Sequence, residues 1–438
     1  MRNAFLLLLL AVAAHAEVRV FEGFTLFDGT GKPPLANAAM VVTDGRITYV
    51  GPQAQLQVPP GAERVDLKGK FLMPGIINLH CHLGNTKRMV QDPKNFTREN
   101  LAENLKIYAK NGVTTVLSMG SDQPVVFDVR AEQRKGRPST TRIFTAGRGF
   151  TGKNGYPTKA QGMAGVPYEV ETVEQVEKAV AAEAARKVDM VKIWVDDHLG
   201  KEPKIPLALS TAIIQNAHKH GIKVAAHMFY LDDAKKLVAA GLDGLAHSVR
   251  DAPVDNELIA LMKKRGAWMA ATTLTREYSV FTFVKDPPFL NDPFFVRSTT
   301  AEDRATLKSE AFQKKAASDP TYPRYMNEFI VMAKQNIKKL ADAGVKFGFG
   351  TDTGPPGRFP GYFEHLEMEF LADAGLTPQQ ILIAATRSGA EFLNADKDLG
   401  TIQNGKWADF IVLSKSPLQD IRNSRRIEQT WVAGNRAY

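Results

Sequence analysis

Five times in the middle of this chain a helix-like segment runs into a glycine and then into a short apolar stretch. The glycines are Gly112 before VTTVLSM, Gly221 before IKVAAH, Gly241 before LDGLAH, Gly266 before AWMAATT and Gly344 before VKFGFGTD. Glycine accepts the left-handed conformation that ends a helix, which explains its place in each unit. Helix starts are legible too. Thr172 to Gln175 is a capping box, and Thr377 to Gln380 is another with Pro378 at the first helical position. Strands alternating with helices predict an α/β chain with a parallel sheet covered by helices. Further candidate strands at residues 76–82, 142–146 and 190–195 bring the number to eight, enough to close a (β/α)8 TIM barrel. An open doubly wound sheet is the alternative the same pattern allows.

The two ends read differently. Short strand-like runs with turn signals fill residues 17–74, including Ala39-Met40-Val41-Val42 and the hairpin signal Asp44-Gly45. Similar runs recur at residues 409–413 and 430–432. We expect a small β-sandwich domain built from both termini, residues 17–74 with 401–438, around a barrel of residues 75–400. Residues 275–330 break the barrel rhythm with Tyr278, Phe281, Phe283, Phe289, Phe294 and Phe295 among prolines. A segment of that length after a barrel strand reads either as a lid with an apolar lining over the barrel mouth, or as a helical decoration or oligomer contact.

Composition narrows the function. The 438 residues are 44% apolar and 24% charged, which excludes disorder. A single cysteine excludes an intramolecular disulfide framework. The net charge of +9 is dispersed, so there is no nucleic-acid footprint and a small-molecule partner is expected. Residues 1–16 carry Arg2, an apolar run from Ala4 to Ala14 and an Ala14-His15-Ala16 cleavage site, the pattern of a secretory signal peptide. The expectation is a periplasmic or secreted protein with no transmembrane anchor after cleavage, and a homo-oligomer is open.

Polar residues collect at the predicted strand ends. His80 and His82 flank Cys81, and the two-residue spacing puts both imidazoles on one strand face, a suitable pair of zinc ligands. By strict alternation Asn78 shares that face, while Ile77, Leu79 and Cys81 face the helices. His227 and His247 each lie six residues after a capping glycine, and Asp352 ends the run FGFGT. Lys192 alternates with Val191, Ile193 and Val195 and so points inward. It either pairs with Asp196, Asp197 or an acid on a neighbouring strand, or stays neutral and captures carbon dioxide as a carbamate that serves as a bridging carboxylate. His198, His218, His220, Glu364 and His365 read as solvated or structural.

FLMPGIINLHCH (residues 71–82), Lys192, His227, His247, GTDTG around Asp352, TRSGAEFL (386–393) and GTIQNGKWADFIVL together resemble the amidohydrolase superfamily over nearly the whole chain after residue 16. The similarity is to its binuclear-metal members with a carbamylated lysine. Within these it is to the imidazolonepropionase-related branch that includes Xaa-Pro dipeptidases and ochratoxin-cleaving amidases. The resemblance implies a barrel, two divalent metal ions, zinc first among them, and hydrolysis. It assigns His80, His82, Lys192, His227, His247 and Asp352 as metal ligands and Asp352 as the catalytic acid–base. Tyr230 matches a tyrosine that binds the scissile carbonyl, and Arg148 is a candidate clamp for a substrate carboxylate. The expected reaction is cleavage of an amide or peptide bond of a dipeptide or N-acyl amino acid by a metal-bridging hydroxide. A lactone, carbamate or phosphotriester hydrolase on the same metals is the alternative, and a non-catalytic scaffold on this fold a remote one.

Overall fold

A computed structural model describes residues 16–438, so the expected signal peptide lies, but for Ala16, outside the described residues. The capping glycines behave as the sequence requires: Gly112, Gly221, Gly241, Gly266 and Gly344 all carry positive φ, between 68° and 106°. A short strand follows each of the first four, and an extended run joined to its neighbours by isolated parallel bridges follows Gly344. The barrel strands are β1 (Ile76–Cys81), β2 (Val113–Ser118), β3 (Arg142–Thr145), β4 (Val191–Val195), β5 (Val224–Met228), β6 (Gly244–Leu245), β7 (Trp268–Met269) and β8 (residues 347–353).

All pairings among them are parallel. β1, β2 and β3 form one run, and β4 to β7 another. Hydrogen bonds carry the ring round. Asp189 N donates to Thr145 O at 2.8 Å between β3 and β4, and Gly348 N to Met269 O at 2.9 Å between β7 and β8. Leu79 N to Phe349 O at 2.8 Å and His82 N to Thr353 O at 2.7 Å join β8 to β1. The result is an eight-stranded α/β barrel.

Side-chain direction follows the pleat in β4. Val191, Ile193 and Val195 pack outward on Ile213 and Ile214, and Lys192 points inward. In β1 the alternation fails. The ladder to β2 slips between Asn78 and Cys81, the signature of a bulge. Ile77 and Leu79 therefore pack inside the barrel with Leu117, Met190 and Ala225, and Asn78 faces outward to Glu364 at 2.7 Å. The extra residue lets His80, next after the inward Leu79, face inward as well. The expected orientations of Asn78, Ile77 and Leu79 are thus reversed, while those of His80, Cys81 and His82 stand.

Strands from both termini form one eight-stranded sheet that includes Val18–Leu26, Leu35–Thr43, Phe71–Pro74, Phe410–Leu413 and Ile427–Val432. It curls over its own apolar face, where Phe21 meets Phe410 and Trp431 with ring centroids 5.1 and 5.0 Å apart. The two layers of the expected sandwich are halves of one sheet. Among the described residues no helix is long and apolar enough to cross a membrane.

Residues 275–330 form a chain of short helices. Phe283, Phe289, Phe294 and Phe295 are buried against Phe359, Tyr362 and Phe363. These rings pack into a core and are not among the residues that border the barrel cleft. The residues over the cleft come instead from the loop after β3, at Tyr156, Pro157, Ala160 and Met163.

Candidate active site

The strand ends bring four imidazoles into a row. Ring centroids lie 5.4 Å apart for His80 and His82, 4.8 Å for His80 and His247, and 4.1 Å for His227 and His247. Three rings are fixed from behind through Nδ1: His80 by Ala246 O at 3.0 Å, His82 by Ser121 Oγ at 2.9 Å and His247 by Thr273 Oγ1 at 2.9 Å. Outer partners of this kind orient metal-binding histidines and leave Nε2 free. Asp352 Oδ1 lies 2.9 Å from His82 Nε2 and 3.7 Å from His80 Nε2, so His80, His82 and Asp352 form a ligand cluster within 4.8 Å.

β8 reaches this position through two backbone devices. Asp352 adopts φ +59°, a left-handed conformation that a non-glycine residue holds only under constraint. Gly354 has φ +120°, and a Cβ there would stand 1.9 Å from His82 O, so only glycine lets the chain pass so close.

Electrostatics sharpen the picture. Burial holds His80 and His247 well below the usual imidazole range, and burial takes His227 down to about 3, so all three rings are neutral ligands at pH 7. Burial alone would raise the Asp352 carboxyl, but Arg358, His80 and His82 outweigh it and hold it well below the usual carboxylate range. Lys192 is fully buried, and burial brings its ammonium down to about 7. Its Nζ lies 3.3 Å from His80 Nε2, and among the described residues it has no ion-pair partner. The reading of Lys192 as one half of an ordinary ion pair is therefore set aside. Asp196 instead accepts from His227 Nε2 at 2.7 Å.

The chain matches the amidohydrolase family over residues 71–437. It belongs to that family. Members generally hold divalent metal ions, and this amidohydrolase is a hydrolase. An uncharacterised protein of Mycobacterium tuberculosis is 26% identical over 89% of this chain and 90% of its own length. The ochratoxinase of Aspergillus niger is 24% identical over 98% of this chain and 88% of its own. Among solved structures, a Xaa-Pro dipeptidase with methionine bound in its active site superposes with a TM-score of 0.75, at 20% identity over 96% of this chain and 99% of that one.

The residues present fit a divalent ion. His247 Nε2 and Asp352 Oδ1 are buried with no hydrogen-bond partner, which is costly unless something else occupies them. The imidazoles of His80 and His82 with the carboxylate of Asp352 are donors of the kind that a divalent transition-metal ion accepts.

The cleft above is bordered by His80, His82, Tyr156, Trp194, His227, Asp352 and Arg358. The two substrate contacts expected from the sequence, Tyr230 and Arg148, are engaged by other partners in this structure. Tyr230 OH donates to Asp197 at 2.8 Å, and Lys204 stacks over its ring. The Arg148 guanidinium donates to the carbonyls of Val166, Gly165 and Pro167 and lies 4.1 Å from the Tyr168 ring centre. In this structure the Arg148 fork is occupied by loop backbone.

Three residues of the site, Arg358, Arg276 and Tyr156, were not singled out from the sequence, and Asp196 was named only as a possible partner of Lys192. Arg358 donates to Asp352 Oδ2 at 2.7 Å, Arg276 Nε lies 3.6 Å from the same oxygen, Asp196 holds His227, and Tyr156 stacks 4.9 Å from the His227 ring. Arg358 was within reach of sequence reasoning, six residues past Asp352 in the same strand-end loop. Arg276 and Tyr156 carry no local signal. Three other histidines have partners of their own. His365 bridges Ser424 Oγ and Asn111 O, His218 meets Asp243 at 2.8 Å and His198 meets Glu202 at 3.1 Å.

Proposed function

We propose that this chain hydrolyses the amide or peptide bond of a small substrate such as a dipeptide or an N-acyl amino acid. In this reading His80, His82, Lys192 as its carbamate, His227, His247 and Asp352 hold two divalent ions, zinc being the default. The observation that carries it is the convergence of buried, unpartnered ligand atoms on one point at the C-terminal mouth of a barrel, where such folds do chemistry. The ochratoxinase and dipeptidase likenesses support the choice of a C–N bond.

When bound, the ions supply an ionised water at neutral pH and polarise the carbonyl. The protein does the rest. Asp352, ionised and fixed by Arg358, accepts the proton of the attacking water and returns it to the leaving nitrogen. Tyr156 borders the cleft where Tyr230 does not, so it is the phenol assigned to the carbonyl oxygen as charge develops there. Trp194 and Met163 exclude bulk water from the site. Residues 1–16 are taken as an export signal; a mature chain recovered from the periplasm should begin at Glu17.

The deciding experiment incubates the protein with zinc and bicarbonate and offers dipeptides, N-acyl amino acids, lactones, carbamates and aryl phosphotriesters. The reading requires kcat/KM to be greatest on a C–N amide. Turnover confined to lactones or phosphotriesters would replace it with the ester-hydrolase reading.

A further inference from the structure

Beside the site lies a buried cluster that metal binding does not use. Arg250 follows β6, three residues after His247. Arg276 and Glu277 sit in the helix Leu274–Phe281 that follows β7. Their side chains are 1%, 8% and 1% exposed. Two guanidinium groups share one carboxylate oxygen: Glu277 Oε1 is 3.3 Å from Arg250 Nε and 2.9 Å from Arg276 Nη1.

The pairing is incomplete. Arg250 Nη1 donates to Ser248 O at 3.0 Å, but Arg250 Nε and Nη2 and Arg276 Nε have no hydrogen-bond partner. No second carboxylate reaches Arg250, whose outer face is covered by the Phe229 ring at 4.8 Å. The cluster therefore buries one positive charge in excess, with open donors. A buried, uncompensated cation is expensive, and a structural tie would have both forks filled. A planar fork with free N–H groups matches a carboxylate.

Position adds the rest. Arg276 Nε is 3.6 Å from Oδ2 of Asp352, and Asp352 itself borders the cleft. Asp352 is the group assigned to protonate the leaving nitrogen. In a dipeptide or N-acyl amino acid the free carboxylate is attached to the carbon next to that nitrogen, so an anion held at Arg276 and a leaving nitrogen at Asp352 belong to one amino acid.

We propose that Arg250 and Arg276 form the subsite for the substrate's free α-carboxylate, so that the enzyme takes amides of amino acids and rejects their neutral analogues. This rests on the amide-hydrolase reading above. The arginines act by binding and orienting, and Glu277 spaces them.

The test uses the zinc-loaded protein with N-acetyl-L-phenylalanine and its C-terminal carboxamide, following release of acetate. The wild type should favour the carboxylate by about a hundredfold or more in kcat/KM. Arg276→Gln and Arg250→Gln should bring that ratio to within about threefold of one, chiefly through KM of the carboxylate. Retained preference in both variants, or a wild-type ratio near one, overturns the proposal. Should the variants not fold, calorimetric binding of free L-phenylalanine and L-phenylalaninamide to the wild type and to Glu277→Gln decides. The acid should bind the wild type about thirtyfold tighter than the amide, and tighter still when Glu277 no longer competes for the forks. Equal binding of the two overturns the proposal. Absence of turnover on any amide would instead remove the amide-hydrolase reading, while the binding comparison would still report on the subsite.

Discussion

Strands β1 and β8 carry buried polar side chains on both faces, and the two faces differ in one respect. On the outer face, Asn78, Tyr108, Thr351, Thr353 and Glu364 satisfy one another. Glu364 Oε1 accepts from Asn78 Nδ2 at 2.7 Å and from both threonine hydroxyls at 2.8 Å, Tyr108 OH meets Thr353 Oγ1 at 2.8 Å, and Gly361 N donates to Glu364 Oε2 at 2.6 Å. No side-chain atom of these five residues lacks a partner. On the inner face, His247 Nε2, Asp352 Oδ1 and Arg276 Nε all do, and Lys192 meets only an imidazole. Both clusters are buried to a similar degree, so burial does not separate structure from function here. Completeness of pairing does. A filled network stabilises the fold and specifies register; an unfilled one stores interaction free energy for a ligand.

That contrast can be broken experimentally. The largest expected effect is on activity: Asp352→Asn should lower kcat on the best amide by about a thousandfold or more, while the unfolding midpoint stays level or rises, because an inner-face charge is removed. A variant that instead unfolds would make the inner face structural and erase the distinction.

Tyr156→Phe should lower kcat by about a hundredfold, the effect of losing one donor to a developing oxyanion, and Tyr230→Phe by much less. The reverse order in steady-state kinetics would return the role to Tyr230.

On the outer face, Glu364→Ala should destabilise by about 3 kcal/mol or more in urea titrations, since it strands several buried donors at once. A comparable loss should follow Phe289→Ala in the aromatic core of the 275–330 insertion, about 3–5 kcal/mol with little change in KM for bulky substrates. A raised KM with stability intact would support the lid lining.

The smallest effect is a pH slope. Burial pushes the Glu367 carboxyl from 4.5 up to about 7, even though Leu274 N and Thr275 N donate to it. With its folded value raised, the folded state binds the proton more tightly. The contribution is complete below pH 4.5 and is lost as pH rises through about 7. Between those limits the slope approaches about 1.4 kcal/mol per pH unit. Glu367→Gln should remove it, so the variant gains on the wild type between pH 5 and pH 8 in paired denaturation curves. Parallel curves would show that the donors already offset burial.

The alternation of glycine-capped helices and apolar runs was enough to reach an eight-stranded parallel barrel, because helix caps and strand periodicity are local properties of a few residues each. The six proposed ligands were legible for the same reason: each stands at a position its own strand defines. What local pattern did not carry was anything set by two strands together. The bulge in β1, which turns Asn78 out and Leu79 in, arises from the match of that strand to β2 and β8. The occupation of the Arg148 fork by a neighbouring loop, the aromatic core inside the insertion and the approach of Arg276 to Asp352 are likewise contacts between segments that local pattern does not join. Their energies depend on which groups are left unpaired once everything else has packed. Only the closed barrel decided that.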